Sequence, residues 1–236
     1  AFAYRCCVPE LLPRERIVEM PAALCDVGRN FDTGIFGTTP MLHILTAEGY
    51  GDIARRLLTK PEYPSYRAML DLGATTLWEH WPVQGLEGGY EVYDGSMSHP
   101  MHAAFDEWLY TGVAGLAARR SVREPWTFRW NDFPGLERAS AARRIPEGRI
   151  SSEWRRDGSE IVWEIEVPAG IEAQIVIPAC IQAIREGGRP LANQAETGRI
   201  RILPAMPESG RQPLSVGSGS YKFSFPAPKH EKSQQI

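Results

Sequence analysis

The chain has 236 residues, 43% of them apolar and 23% charged, with a formal net charge of −3. This composition excludes disordered and fibrous classes, and the small negative charge excludes a nucleic-acid binder, which needs a basic face for phosphate contacts. No run approaches the roughly 20 apolar residues of a membrane-spanning helix, so a soluble protein is expected, with neither nucleic acid nor membrane as partner and the cytoplasm slightly favoured.

The first half, residues 1–120, reads as helical. Pro13 with the following RERIVEM suggests a helix start, because proline is tolerated in a first turn, and Pro21 interrupts it. PMLHILTAEGYG carries Met41, Leu42, Ile44 and Leu45 on one stripe and stops at Gly49. DIARRLLTK follows at once with Asp52 as its N-cap, which makes a helical hairpin. YRAMLDLG predicts a short helix ending at Gly73, and ATTLWEHW an extended segment. From His99 onward, Phe105, Leu109, Val113 and Leu116 are spaced for a long amphipathic helix running to about residue 120.

Near SVREP, residues 121–125, the periodicity changes to two, and residues 121–226 read as an antiparallel β-sandwich. WTFRWNDF, GRISSEWRR, EIVWEIEVP, IEAQIVIPA and SYKFSFP alternate apolar and polar residues. Asp157-Gly158 signals a tight hairpin, because a primed turn needs positive φ. The polar tail 227–236 is expected to be disordered. Cys6, Cys7, Cys25 and Cys180 have no CxxC spacing and read as free thiols.

HExxH, the phosphate-binding P-loop, GxGxxG and GxSxG are all absent, which removes the zinc peptidase, nucleotide and hydrolase-elbow readings. His99 and His102 form an HxxH pair, but no third ligand stands at firm spacing, so no metal or other cofactor is expected and His102 reads as a packing residue.

Carboxylates, tryptophans, glycines and histidines concentrate instead between Asp32 and His99, in FDTGIFGT, GATTLWEHW and GSMSHP. Aromatic rings beside carboxylates suit a sugar, whose C–H faces stack and whose hydroxyls take charge-assisted hydrogen bonds. Glu79, between Trp78 and Trp81, has a setting suited to general acid or base work, although such a glutamate is more often a surface or ion-paired residue.

FDTGIFGT, YPSY, GATTLWEHW, SHPMHAAFDEWLYTGVAGL and PEGRISSEW, in this order, resemble the C-terminal part of bacterial α-L-rhamnosidases, glycoside hydrolase family seventy-eight. The resemblance runs from near residue 1 to about residue 226. It implies an α+β two-domain chain, with an incomplete (α/α)6 six-hairpin barrel followed by the β-sandwich. The implied activity is inverting removal of terminal α-L-rhamnose, with rhamnose-containing glycosides as partners. Glu79, in the family's TxWE motif, is implied as the general base, and His99 of the (N/S)H motif as a contact to sugar hydroxyls. Trp78 and Trp81 are candidate pocket walls. Asp32, in the DTG loop, is a candidate site neighbour whose competing role is a helix N-cap.

Inversion needs a second carboxyl group as acid. The family's acid motif, DxxxRxExxGxxxD, has no match in this sequence, and a twelve-helix barrel needs well over 200 residues at about 11 to 12 per helix plus loops. The expectation is therefore a truncated, inactive chain with an incomplete barrel that exposes apolar surface for self-association. The alternative reading is a non-catalytic carbohydrate-binding or interaction fragment built on the β-sandwich.

Overall fold

The computed structural model describes residues 33–81, 83–84, 90–91, 95–117, 119, 121, 124–178, 184–191, 199–206 and 211–229. The expected helix after Pro13, Asp32, the four cysteines and tail residues 230–236 lie outside the described residues. The chain divides into two compact units, residues 1–108 and 109–236.

The described part of the first unit is helical apart from one short antiparallel pair, β1 (Val83–Gln84) with β2 (Tyr90–Glu91). Helix α1, Thr38–Ala47, turns at Gly49 into α2, Gly51–Thr59. The φ of +90° at Gly49 is a conformation that glycine adopts without a Cβ penalty, so the expected hairpin forms. Met41, Leu42 and Leu45 of α1, and Ile53, Ala54 and Leu57 of α2, are buried. Asp52 is not the cap of α2, as the spacing suggested. Tyr50 holds that position without a side-chain cap, and Asp52 sits in the first turn, paired with Arg56 at 3.2 Å. Helix α3, Tyr66–Asp71, is capped by Ser65, whose Oγ accepts from the Ala68 N–H at 2.9 Å.

The helix expected from His99 to about residue 120 forms only as far as Val113, and its winding changes along the way. A 3-10 turn at Pro100–Ala104 leads to a single α turn, α4 (Phe105–Trp108), which closes the first unit; a π turn at Leu109–Val113 and strand β3 (Leu116–Ala117) open the second. The second unit captures the carbonyls a continuing helix would use. Asn131 Nδ2 donates to Gly112 O at 2.8 Å, Trp154 Nε1 to Val113 O at 2.8 Å and Ser152 Oγ to Ala114 O at 2.5 Å. Gly115, at φ +78°, completes the break, and a Cβ there would lie 2.6 Å from Arg129 O. The amphipathic stripe is therefore divided between two units, and the unit boundary precedes the change of periodicity at 121–125.

The second unit is a two-sheet sandwich. Its strands are β4 (Trp126–Arg129), β5 (Arg138–Ile145), β6 (Gly148–Asp157), β7 (Glu160–Val167), β8 (Ala173–Pro178), β9 (Arg185–Glu186), β10 (Arg189–Pro190), β11 (Ile200–Ile202), β12 (Arg211–Val216) and β13 (Gly219–Pro226). One sheet has the order β10-β9-β13-β7-β6-β5 and the other β11-β12-β8-β4-β3. Pairing is antiparallel except for β4 against β8, which run parallel with Trp126 opposite Ala173. The hairpin expected at Asp157-Gly158 forms one residue later. Asp157 pairs with Glu160 around a Gly158-Ser159 loop, and only Gly158 has positive φ, the pattern of a type II′ turn. Inward residues of both sheets form one core, in which Phe128, Trp154, Trp163, Phe223 and Phe225 are fully buried.

Candidate active site

The site region lies in the first unit, where two loops are clasped by backbone hydrogen bonds. The Glu79 N–H donates to Ser96 O at 2.9 Å, and the His99 N–H donates to Leu77 O at 2.8 Å. Thr76 Oγ1 adds a hydrogen bond to Met97 O. Segment 76–81 is thereby tied to segment 95–99, which places the carboxylate-bearing and histidine-bearing motifs side by side although about twenty residues separate them in sequence.

The Glu79 carboxylate is fixed by the second loop. Its Oε2 accepts from the Ser96 N–H at 3.1 Å, whereas Oε1 lies 3.9 Å from His80 Nε2, beyond hydrogen-bond reach. One oxygen is anchored and the other keeps its acceptor capacity, and the side chain is 30% exposed. Gly95 lies beside it, and a Cβ there would lie 2.7 Å from His80 Cδ2, so the exposed His80 ring would have to shift.

Beneath the clasp lies an aromatic layer. Trp81 is half-buried, its indole N–H donating to Thr33 O at 2.7 Å, and its ring meets Tyr66 and His102 edge-on at 5.0 and 4.3 Å. Trp78 is only 6% exposed and packs inward, its backbone N–H directed at Met69 Sδ. His102 is buried, as a packing residue should be. Its Nδ1 lies 2.6 Å from Trp78 O, the carbonyl of the peptide that joins Trp78 to Glu79. A carbonyl only accepts, so Nδ1 carries the proton and Nε2 is a bare nitrogen. That Nε2 is buried without a partner among the described residues. Burial holds the His102 pKa below the usual histidine value, only partly offset by the bond to Trp78 O. The Tyr66 hydroxyl donates to His102 O at 2.8 Å, and burial raises its own pKa far above the ordinary phenol range.

His99 joins the clasp through its backbone, and its Nδ1 is buried with no partner among the described residues. Asp32 lies outside the described residues; of the DTG segment, Thr33 adjoins the aromatic layer through its carbonyl, which accepts from Trp81. Among the described residues no cluster of three His, Cys, Asp or Glu is placed to hold a metal. Ser96 and Gly95 were not legible as site residues, because a backbone donor and a missing Cβ leave no chemical signature beyond the GSMSH motif itself.

Residues 8–113 match the bacterial α-L-rhamnosidase six-hairpin glycosidase domain, and residues 126–189 match the bacterial α-L-rhamnosidase C-terminal domain. The chain joins part of a bacterial α-L-rhamnosidase six-hairpin domain to a bacterial α-L-rhamnosidase C-terminal domain. It is 29% identical over 219 residues to an α-L-rhamnosidase of Streptomyces avermitilis, covering 92% of this chain and 20% of the relative. A Formosa agariphila α-L-rhamnosidase is 26% identical over 205 residues, covering 84% and 20%. The crystal structure of the Streptomyces avermitilis enzyme complexed with L-rhamnose superposes with a TM-score of 0.71 at 26% identity, over 88% of this chain and 19% of that one. The Dictyoglumus thermophilum α-L-rhamnosidase shares the fold, with a TM-score of 0.73 at 23% identity over 92% and 24%. The chain thus spans about a fifth of the length of the family members it matches. It consists of a partial helical-hairpin region followed by a mainly antiparallel sandwich.

Proposed function

We propose that this chain carries the water-activating half of an inverting α-L-rhamnosidase site, with Glu79 as the general base, His99 as a contact to the sugar hydroxyls and Trp81 as the aromatic wall. The supporting observation is the asymmetric hold on Glu79. Ser96 N–H fixes Oε2, while Oε1 has no hydrogen bond among the described residues. In this reading Oε1 takes a proton from water as the water oxygen attacks the anomeric carbon. The glycosidic C–O bond breaks, and the departing oxygen takes its proton from a separate acid about 6.5–9.5 Å from the base. The sequence contains no match to the family's acid motif, so rhamnosides that need leaving-group protonation are not substrates of this chain alone.

α-L-Rhamnosyl fluoride isolates the base half, because fluoride departs as an anion without a proton. The chain is expected to hydrolyse the fluoride while leaving an aryl α-L-rhamnoside untouched. Glu79→Gln should slow fluoride hydrolysis by about 10²-fold or more, the ordinary contribution of a general base. Equal fluoride rates in the two proteins, or robust turnover of the aryl rhamnoside, would refute the assignment.

A further inference from the structure

A cleft of about 360 Å³ opens on the second unit, well away in sequence from the Glu79 clasp. Its floor is the outer face of the five-stranded sheet. Trp126, Phe128, Ala173, Ile175, Leu214 and Val216 belong to the core, so the alternate residues face outward. Strand pairing sets Arg201 opposite Ser215 and Ser215 opposite Gln174, and this row of three polar side chains lines the cleft. Glu172 ties the row together. Its Oε1 accepts from Ser215 Oγ at 2.6 Å and from Arg201 Nη2 at 3.2 Å.

Arg119, also in the lining of the cleft, is in a different state. It makes no hydrogen bond or ion pair among the described residues, and its guanidinium lies 5.5 Å from the centre of the Trp126 ring. A guanidinium held over an aromatic face presents a rigid fork suited to a carboxylate. Trp126 itself is 6% exposed, and its indole nitrogen is buried without an acceptor among the described residues.

The remaining lining selects among anions. Glu124 and Glu172 balance the two arginines, so a bare anion gains little from the cleft as a whole. A ligand that adds hydroxyls to its carboxylate can use Glu172, Gln174 and Ser215 as well, and Ile171 and Leu203 offer apolar wall to a pyranose C–H face. We propose that this cleft is a second saccharide site, which takes an acidic sugar residue of the uronic-acid class with its carboxylate on Arg119. The proposal rests on the second unit alone and does not depend on the role of Glu79.

The test is a ¹H–¹⁵N spectral titration of the full chain with methyl β-D-glucuronide, methyl β-D-glucoside and acetate in parallel. Saturable shifts of the Trp126 indole N–H and the Gln174 side-chain amide with the glucuronide are expected, with weaker responses to the other two. Arg119→Gln should raise Kd about tenfold, and Arg119→Lys, which keeps charge but loses the fork, should fall between. Unchanged melting temperatures of both variants exclude misfolding as the cause. The proposal is overturned by absence of shifts at millimolar glucuronide, by an equal response to the glucoside or to acetate, or by full affinity in Arg119→Gln.

Discussion

The two units solve the problem of stability differently. In the second, strands of up to 10 residues bury Phe128, Trp130, Trp154, Trp163, Phe223 and Phe225 to 1% exposure or less. In the first, Phe36, Leu70, Met97 and Met101 remain 42–75% exposed, and the loops that bear Glu79 and His99 are held by a few hydrogen bonds. Apolar burial scales with area and tolerates little loss, whereas a clasp of loops depends on individual donors and acceptors. The difference points to the sandwich as the main source of stability and leaves the proposed sugar chemistry to the helical unit.

The largest expected effect belongs to the sandwich core. Trp163 is fully buried and donates through Nε1 to Ser152 Oγ at 2.9 Å, and the same Ser152 hydroxyl donates to Ala114 O. Trp163→Ala should cost about 3–5 kcal/mol, read as faster hydrogen exchange of the β6 and β7 amides. A loss below about 1 kcal/mol would mean that the aromatic core is not what holds this unit together.

A smaller effect is expected at the cap of α3. Ser65 accepts from the Ala68 N–H and donates to Lys60 O at 2.6 Å. Ser65→Ala should cost about 1 kcal/mol, seen as increased exchange in the α3 amides, with little change at the β7 amides. An equal loss in β7 would break the separation of roles.

The smallest and most specific effect concerns pH. Burial lowers the His102 pKa in the folded state, so the unfolded chain binds the proton more readily. Folding stability of the helical unit is therefore fully present above the unfolded histidine pKa, about 6.5, and declines as pH falls below it toward the lowered folded value. Amide exchange in segments 76–81 and 95–99 should accelerate on acidification beyond the intrinsic chemical trend, and His102→Gln should flatten that dependence. A wild-type response unaffected by the substitution would place the titrating group elsewhere.

What the sequence reveals follows the range of the interactions concerned. Strands β4, β6, β7, β8 and β13 were legible because side-chain alternation is local, and EIVWEIEV and SYKFSFP state it openly, whereas β5, with the sequence RASAARRI, carries almost no apolar alternation and was not legible. The parallel pairing of β4 with β8 was not legible either, since it depends on where a strand some forty residues away returns to the sheet. The stripe Phe105, Leu109, Val113 and Leu116 has helical spacing, and the chain is helical to Val113, where Asn131, Trp154 and Ser152 take the carbonyls that a longer helix would need. The TxWE glutamate was visible as a motif, whereas its anchors, a backbone amide at Ser96 and a buried imidazole at His102, become apparent only once the loops are brought together.

The most direct test of the account is a residue-resolved titration of the intact chain with L-rhamnose, a neutral sugar that lacks the carboxylate proposed for Arg119. The account predicts shifts at Gly95, Ser96 and His99, greatly weakened in Glu79→Gln, while Gln174 and the Trp126 indole stay still. Shifts confined to residues 109–229, or unchanged binding in Glu79→Gln, would contradict it and return sugar recognition to the sandwich.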